Sequence, residues 1–286
     1  MENKFPHKEK LVLRGNVMLR FDLNTSILLK EVPFLERFPR AVNLGFGAVE
    51  FWWPGNELLP QVAEQLRTTG LRVALMNFDA GNMAAGERGF LNDPQHRDHF
   101  RAHVPVAIAF AQRVGIPQLN ALVGNTLSHI SREEQLDTVR ENLLWAADQA
   151  AEAGIGVVVE SLNTFENPEY LLSNTRDTLK LLNEVGRPNL KYQYDVYHMQ
   201  RMEGNIIATL QENIARIGHI QVADSPDRHE PGTGEIHYPH VLAALDALTY
   251  QGYIGLEYNP STSSEASFAW LPPQKQAGLA VADLHL

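Results

Sequence analysis

Four oxygen-bearing side chains recur along the chain at intervals that suit one chemical centre. Glu160, Asp195, Gln221 and Glu257 are separated by 35, 26 and 36 residues, and each stands at or near the end of a short β-forming run. Each interval matches one strand–helix unit, so four neighbouring strands could each deliver one oxygen ligand to a common point. Three carboxylates converging there would repel one another and lose hydration, a cost that a divalent cation removes. An all-oxygen donor set in a chain without cysteine favours one Mg²⁺ or Mn²⁺ over structural zinc. Separate pairing with Arg or Lys, or helix capping, would explain any one of these acids, but explains four in register poorly.

Other polar residues stand where apolar runs stop: Asn24, Glu50 and Asn77 belong to the first three runs. His198 lies three residues beyond Asp195, within reach of a substrate oxygen, and Glu166 lies six beyond Glu160. Two loops combine glycine with charge, Ala84–Gly89 and Asp227–Glu235. Arg88 and Arg228 within them are candidates for an anion clamp or a lid. Their glycines match neither a phosphate-binding loop nor a dinucleotide fingerprint. Trp52, Trp53, Tyr197 and Tyr258 could wall a pocket, or belong to the core.

The elements that must position these residues alternate. Eight strands are predicted at Leu19–Leu23, Ala48–Trp52, Arg72–Met76, Gln118–Leu122, Gly156–Glu160, Leu190–Asp195, Ile217–Ala223 and Tyr253–Glu257. Some are unbroken apolar runs, such as Val157-Val158-Val159, as strands buried on both faces require. Helical periodicity fills the gaps, at about 34–44, 58–68, 96–114, 131–153, 174–185, 206–217 and 239–248. The clearest helix should open on a Ser131/Glu134 capping box and stop before Gly154. Eight strands alternating with helices predict an α/β fold, a single (β/α)₈ barrel. Residues 18–271 would form the catalytic domain, with 1–17 and 272–286 as an N-terminal extension and a C-terminal tail.

Composition narrows the partners. The 286 residues carry a formal charge of −10, which argues against a nucleic-acid partner. The first ten residues lack the apolar core of a signal peptide, and no run is long enough to span a bilayer. The expectation is a cytoplasmic protein with a small-molecule substrate and no membrane partner, its oligomeric state left open.

With these residues in place, the sequence resembles the hydroxypyruvate isomerase family, within the xylose-isomerase-like barrels that also include ketose 3-epimerases. The resemblance runs from about Met18 to Trp270, and is most specific at Ala84–Gly89, Tyr194–Gly204, His219–Ile236 and Gly255–Tyr258. It implies that Glu160, Asp195, Gln221 and Glu257 hold the metal, with Glu160 and Glu257 also the acid/base pair. It implies substrate contacts for His198 and Glu166, and Asn77 matches a family Asn. Many of the epimerases have His where this chain has Gln221, which favours the isomerase branch.

Three positions depart from the family pattern. Met76 replaces a His before Asn77, Asn259 replaces a Lys after Glu257, and Asn125-Thr126-Leu127-Ser128-His129 replaces a Lys-Thr-Pro-Ala-Gly loop. Two of these changes remove cations, leaving Arg88 and Arg228 to bind an acid group. Met76 resembles the 2-oxotetronate isomerase relatives instead. The expected reaction is an aldose–ketose-type isomerisation through an enediol(ate), with hydroxypyruvate the leading substrate. Isomerisation of 2-oxotetronate or C3 epimerisation of a ketose would use the same site. A DNA-repair nuclease on a similar barrel would need a basic groove, and a non-catalytic sugar-acid binder would not need both Glu160 and Glu257.

Overall fold

A computed structural model describes residues 18–275 and 278–286, so the expected extension at 1–17 lies outside the described residues. Eight parallel strands close into a barrel in chain order. They are β1 (Arg20–Asn24), β2 (Ala48–Phe51), β3 (Arg72–Asn77), β4 (Gln118–Asn120), β5 (Gly156–Glu160), β6 (Leu190–Asp195), β7 (Ile217–Val222) and β8 (Tyr253–Leu256). Closure comes from β1 pairing with β8, Phe21 opposite Ile254 and Leu23 opposite Leu256. The (β/α)₈ expectation is met.

Helices cover the outside: α1 (Arg37–Asn43), α2 (Leu59–Thr69), α3 (Arg97–Val114), α4 (Arg132–Glu152), α5 (Thr175–Val185), α6 (Val196–Met202), α7 (Ile206–Asn213) and α8 (Tyr238–Ala247). The Ser131/Glu134 capping box at α4 forms as expected. Asn174 caps α5 by accepting from the Asp177 N–H, and Gly186 ends it in the left-handed conformation. None of the described helices is long and apolar enough to cross a membrane.

Two local differences from the sequence reading bear on the site. β4 ends at Asn120 rather than Leu122, although the apolar run continues through Val123. Those apolar residues pack in the following loop, and so the strand's true polar end was hidden. α6 was not anticipated. It begins directly at the end of β6, with Asp195 as its N-cap. Its first four residues are all buried, so it lacks the one-sided stripe by which a surface helix is recognised.

Aliphatic and aromatic residues pack between the sheet and the helices. The barrel interior is instead strongly polar. Glu50 on β2 reaches β7, meeting His219 Nε2 at 2.6 Å and accepting from Gln221 Nε2 at 2.7 Å. It also accepts from Asn24 on β1 at 2.9 Å. Burial alone would raise the Glu50 pKa, but His219, Gln221 and Asn24 together hold it below its ordinary value. Beside it, burial and then the Glu50 charge raise the Asp22 pKa well above its ordinary value, so burial and a neighbouring carboxylate both oppose its ionisation.

The C-terminal segment lies against this barrel. Leu279 forms an antiparallel bridge with Leu19, just before β1, and the Lys275 N–H bonds to the Gly45 carbonyl.

Candidate active site

Register brings the expected ligands to one rim. Asp195 stands opposite Gln221, Gln221 opposite Gly255, and Glu160 opposite Gln193, so the ends of β5 to β8 follow one another round the barrel. Glu160 and Asp195 each offer an oxygen within a group less than 4.8 Å across, together with a His198 nitrogen. Glu160 Oε2 accepts from Asn120 Nδ2 at 3.1 Å, while Asp195 Oδ1 accepts the Tyr197 and His198 N–H groups of α6. The other oxygens, Glu160 Oε1 and Asp195 Oδ2, are buried without a partner. Two buried carboxylates this close, each with one orphaned oxygen, are an arrangement that a divalent cation satisfies.

Glu257 and Gln221 are bound differently. Glu257 Oε1 accepts from Asn24 Nδ2 at 2.8 Å and Trp52 Nε1 at 3.2 Å, and Oε2 from Arg228 Nη2 at 2.7 Å. Gln221 must turn its NH₂ toward the acceptor-only carboxylate of Glu50, which leaves its carbonyl accepting from Gln193 at 2.7 Å. A carbonyl oxygen has two lone pairs, so one remains for a cation. Glu160 and Asp195 thus offer buried oxygens suited to a hard divalent ion, while both Glu257 oxygens are already engaged by Asn24, Trp52 and Arg228.

His198 lines the cavity beside these carboxylates. Its Nδ1 accepts the Asn163 backbone N–H at 3.1 Å. A backbone N–H can only donate, so the ring proton sits on Nε2, which stands 3.6 Å from Asp195 Oδ2. Burial, followed by the charges of Arg228, Arg88 and Arg201, pushes the His198 pKa well below its ordinary value. As folded it is a neutral imidazole with its proton on Nε2, standing beside Glu160 and Asp195.

The carboxylates themselves are strained by burial. Burial and then Glu257 and Asp195 raise Glu160 well above its ordinary pKa. Burial pushes Glu257 up from 4.5 to about 7 against the opposing charge of Arg228. Asp195 is likewise pushed up by burial to about 6, again opposed by Arg228. A carboxyl whose folded pKa exceeds its unfolded one favours the fold fully at low pH and loses that contribution as pH rises through the folded value. With chelator present, the melting temperature of the wild type minus that of Glu257→Gln should therefore fall between pH 4.5 and about 7. A constant difference across that range would contradict the raised value.

The cavity above these groups is small, about 80 Å³, and is lined by Trp52, Asn77, Met83, Arg88, Leu122, Glu160, Leu162, Asn167, His198, Arg228 and Glu257. Of the expected substrate-side residues, Asn77, Arg88, His198 and Arg228 line it, while Glu166 stands at its edge. Glu166 Oε2 accepts from Asn163 Nδ2 at 3.0 Å and lies 3.9 Å from Arg228 Nη1. Both charged loops are held by close internal contacts. Asp224 accepts the N–H groups of Ser225, Gly232, Gly234 and Ile236, which folds the second loop round its carboxylate. A Cβ on Gly234 would collide with the Ser225 carbonyl. In the first loop, a Cβ on Gly89 would collide with the Leu122 carbonyl, and Arg88 is fixed just before it.

A family model for the xylose isomerase-like TIM barrel matches residues 38–274. The chain belongs to that family. It is 42% identical over 258 residues to hydroxypyruvate isomerase of Escherichia coli, covering 90% of this chain and all of that protein. It is 39% identical over 256 residues to 2-oxo-tetronate isomerase of Cupriavidus necator, covering 90% and 98%. A crystal structure described as AP endonuclease, family 2, from Brucella melitensis superposes with a TM-score of 0.85 at 38% identity, covering 88% and 98%. With relatives of this similarity named as isomerases, the chain is an isomerase.

Within this xylose isomerase-like barrel, the positions that depart from the expected pattern do not line the cavity. Asn125 donates to the Gly86 carbonyl and ties the β4 loop to the Arg88 loop. Asn259 gives its N–H to the Arg228 carbonyl. Arg88 and Arg228 are thus the only cationic side chains lining the cavity among the described residues. Sequence reasoning did not find Asn120, Asn163 and Asn167. Asn120 carries the same signal as Asn24, a polar residue ending a strand, and was lost with the misplaced end of β4. Asn163 and Asn167 sit in a loop whose conformation alone brings them to His198 and Arg88.

Proposed function

We propose that the protein is a metal-dependent aldose–ketose-type isomerase of a small hydroxy-keto acid, most simply converting hydroxypyruvate to tartronate semialdehyde. The alternative substrate for the same site is 2-oxotetronate. The observation that carries this reading is Arg88, a cation on the cavity wall whose polar partners are all neutral oxygens. Glu160 and Glu257 line the same cavity, so it offers both a cation for an acid group and carboxylates for a chelated cation. Its small volume suits a three- or four-carbon substrate.

A Mg²⁺ or Mn²⁺ ion held by Glu160, Asp195, Gln221 and Glu257 would supply Lewis acidity to the carbonyl and adjacent hydroxyl. The protein's own groups move the protons. One of Glu160 and Glu257 takes a proton from C3 of hydroxypyruvate to give the enediol, and the other directs protonation at C2. A hydroxyl proton passes from the C3 oxygen to the C2 oxygen, so the product has the same atoms as the substrate. His198 Nε2–H donates to a substrate oxygen, and Trp52 and Asn24 orient Glu257. The relative named hydroxypyruvate isomerase supports this substrate class, and the orphaned oxygens of Glu160 and Asp195 support the metal.

The test is proton exchange in D₂O with Mg²⁺ or Mn²⁺ across hydroxypyruvate, 2-oxotetronate and neutral ketoses. Deuterium entering either acid, with net isomerisation, is the expected result. Turnover of neutral ketoses alone would move the chain to the epimerases. Arg88→Met should raise KM for the acid by roughly 10²-fold, the loss of a charge-assisted hydrogen bond. Steady-state kinetics with an unchanged KM would refute the carboxylate clamp.

A further inference from the structure

The position of Arg88 depends on a residue that has so far no role in the reaction. Its Nε donates to Asn167 Oδ1 at 2.7 Å, and its Nη1 to the carbonyls of Met83 at 2.9 Å and Glu87 at 2.8 Å. Those bonds leave Nη2 with no hydrogen-bond partner among the described residues. Asn167 is itself buried and cannot turn its amide over. Its Nδ2 and backbone N–H both point to the Asn163 carbonyl, at 3.4 and 3.1 Å, so its oxygen must face the guanidinium. Asn163 in turn holds Glu166 and His198, which ties the aim of Arg88 to the rest of the substrate side.

Charge makes this contact selective. Arg228, the other cation on the cavity, is already neutralised by Glu257 at 2.7 Å. Arg88 takes part in no ion pair among the described residues, and burial and the charge of Arg228 both disfavour its protonated form. A half-buried guanidinium in that state is stabilised by an anion brought to its free edge. An acidic residue in place of Asn167 would bond the same Nε while cancelling the charge.

The geometry points to Asn167 as a specificity-determining residue: its neutral amide oxygen fixes the guanidinium plane of Arg88 and leaves the charge for the carboxylate of the substrate. This rests on the hydroxy-keto acid reading above and extends it to a residue outside the expected site. Asn167 acts through Arg88, and so is a positioning residue.

The experiment compares wild type, Asn167→Asp and Asn167→Ala, each with Mg²⁺. KM and kcat are measured for hydroxypyruvate, and calorimetry gives the affinity for D-glycerate, an unreactive acid, and for glycerol, its neutral counterpart. Asp should raise KM and weaken D-glycerate binding by about 10- to 10²-fold, with a much smaller change in kcat, because a charge-assisted bond is lost. Ala should have a smaller effect than Asp, since it frees the guanidinium without cancelling it. The ratio of D-glycerate to glycerol affinity should fall in the same order. A purely structural role predicts instead that Ala is as harmful as Asp, or that acid and neutral ligands weaken together, and either result overturns the inference. So does wild-type acid affinity in Asn167→Asp. If the wild type neither binds D-glycerate nor turns over hydroxypyruvate, the proposed function fails first, which separates the two failures.

Discussion

Glu160→Gln and Asp195→Asn are each expected to weaken Mg²⁺ or Mn²⁺ binding by more than about 10²-fold, beyond the usual effect of losing a supporting residue, without unfolding the barrel. Each substitution neutralises a buried carboxylate that lies close to its neighbour and has one oxygen without a protein partner. In the metal-free protein those charges oppose folding, since burial and the neighbouring carboxylates raise the Glu160 pKa well above its ordinary value. The chelated Glu160→Gln protein should therefore melt no lower than the chelated wild type at neutral pH. The wild type alone should gain strongly in melting temperature when metal is added, as binding to the folded state requires. Calorimetric titration and thermal melts with and without chelator measure both effects. Wild-type metal affinity in both variants would remove the centre from these residues.

Glu257→Gln should separate proton transfer from metal binding. The amide keeps an oxygen that can coordinate but cannot accept a proton from carbon. Proton exchange in D₂O should fall by about 10²- to 10⁴-fold, the range for a lost general acid or base, while metal affinity falls by about tenfold or less, a smaller loss than when a charged ligand oxygen is removed. Some weakening of the metal is expected. One end of the new amide must present NH₂ either to Arg228 or to Asn24 and Trp52, all of which donate to the carboxylate. Exchange at the wild-type rate with metal bound would refute the assignment of Glu257. Equal losses of exchange and metal affinity would leave Glu257 a ligand alone.

The neutral state of His198 bears on the same chemistry. The Asn163 N–H fixes its tautomer, and three arginines and burial disfavour its charged form. It can orient and polarise a substrate oxygen across the neutral pH range without changing charge. The pH dependence of the reaction should then come from the carboxylates and not from this imidazole.

The order of the barrel and the strand ends at which the candidate site residues stand were legible in the sequence. β5 and β6 lie where expected, and the other strands differ by two residues or fewer at either end. Strands buried on both faces leave unbroken apolar runs, and a polar residue ending such a run marks the open face of the barrel. The spacing of Glu160, Asp195, Gln221 and Glu257 follows from that architecture, because each strand–helix unit advances the chain by one place round the rim.

The tertiary structure decided what each of those residues faces. Gln221 is turned by Glu50, which lies across the barrel interior, and Glu257 is held by Arg228 from a loop that Asp224 folds. These contacts join residues up to 171 positions apart, as between Glu50 and Gln221. No local periodicity encodes such a pairing. Position 167 shows the same division. The sequence places an asparagine in the β5 loop, but a hydrogen bond needs both distance and direction, and only the folded loop turns that oxygen toward Arg88, 79 residues earlier. The sequence alone determined the barrel and the donor types at its rim, because strand burial and residue chemistry are local properties. The tertiary structure alone decided which charges are neutralised and which are left for a ligand, because that depends on where side chains from distant strands and loops meet.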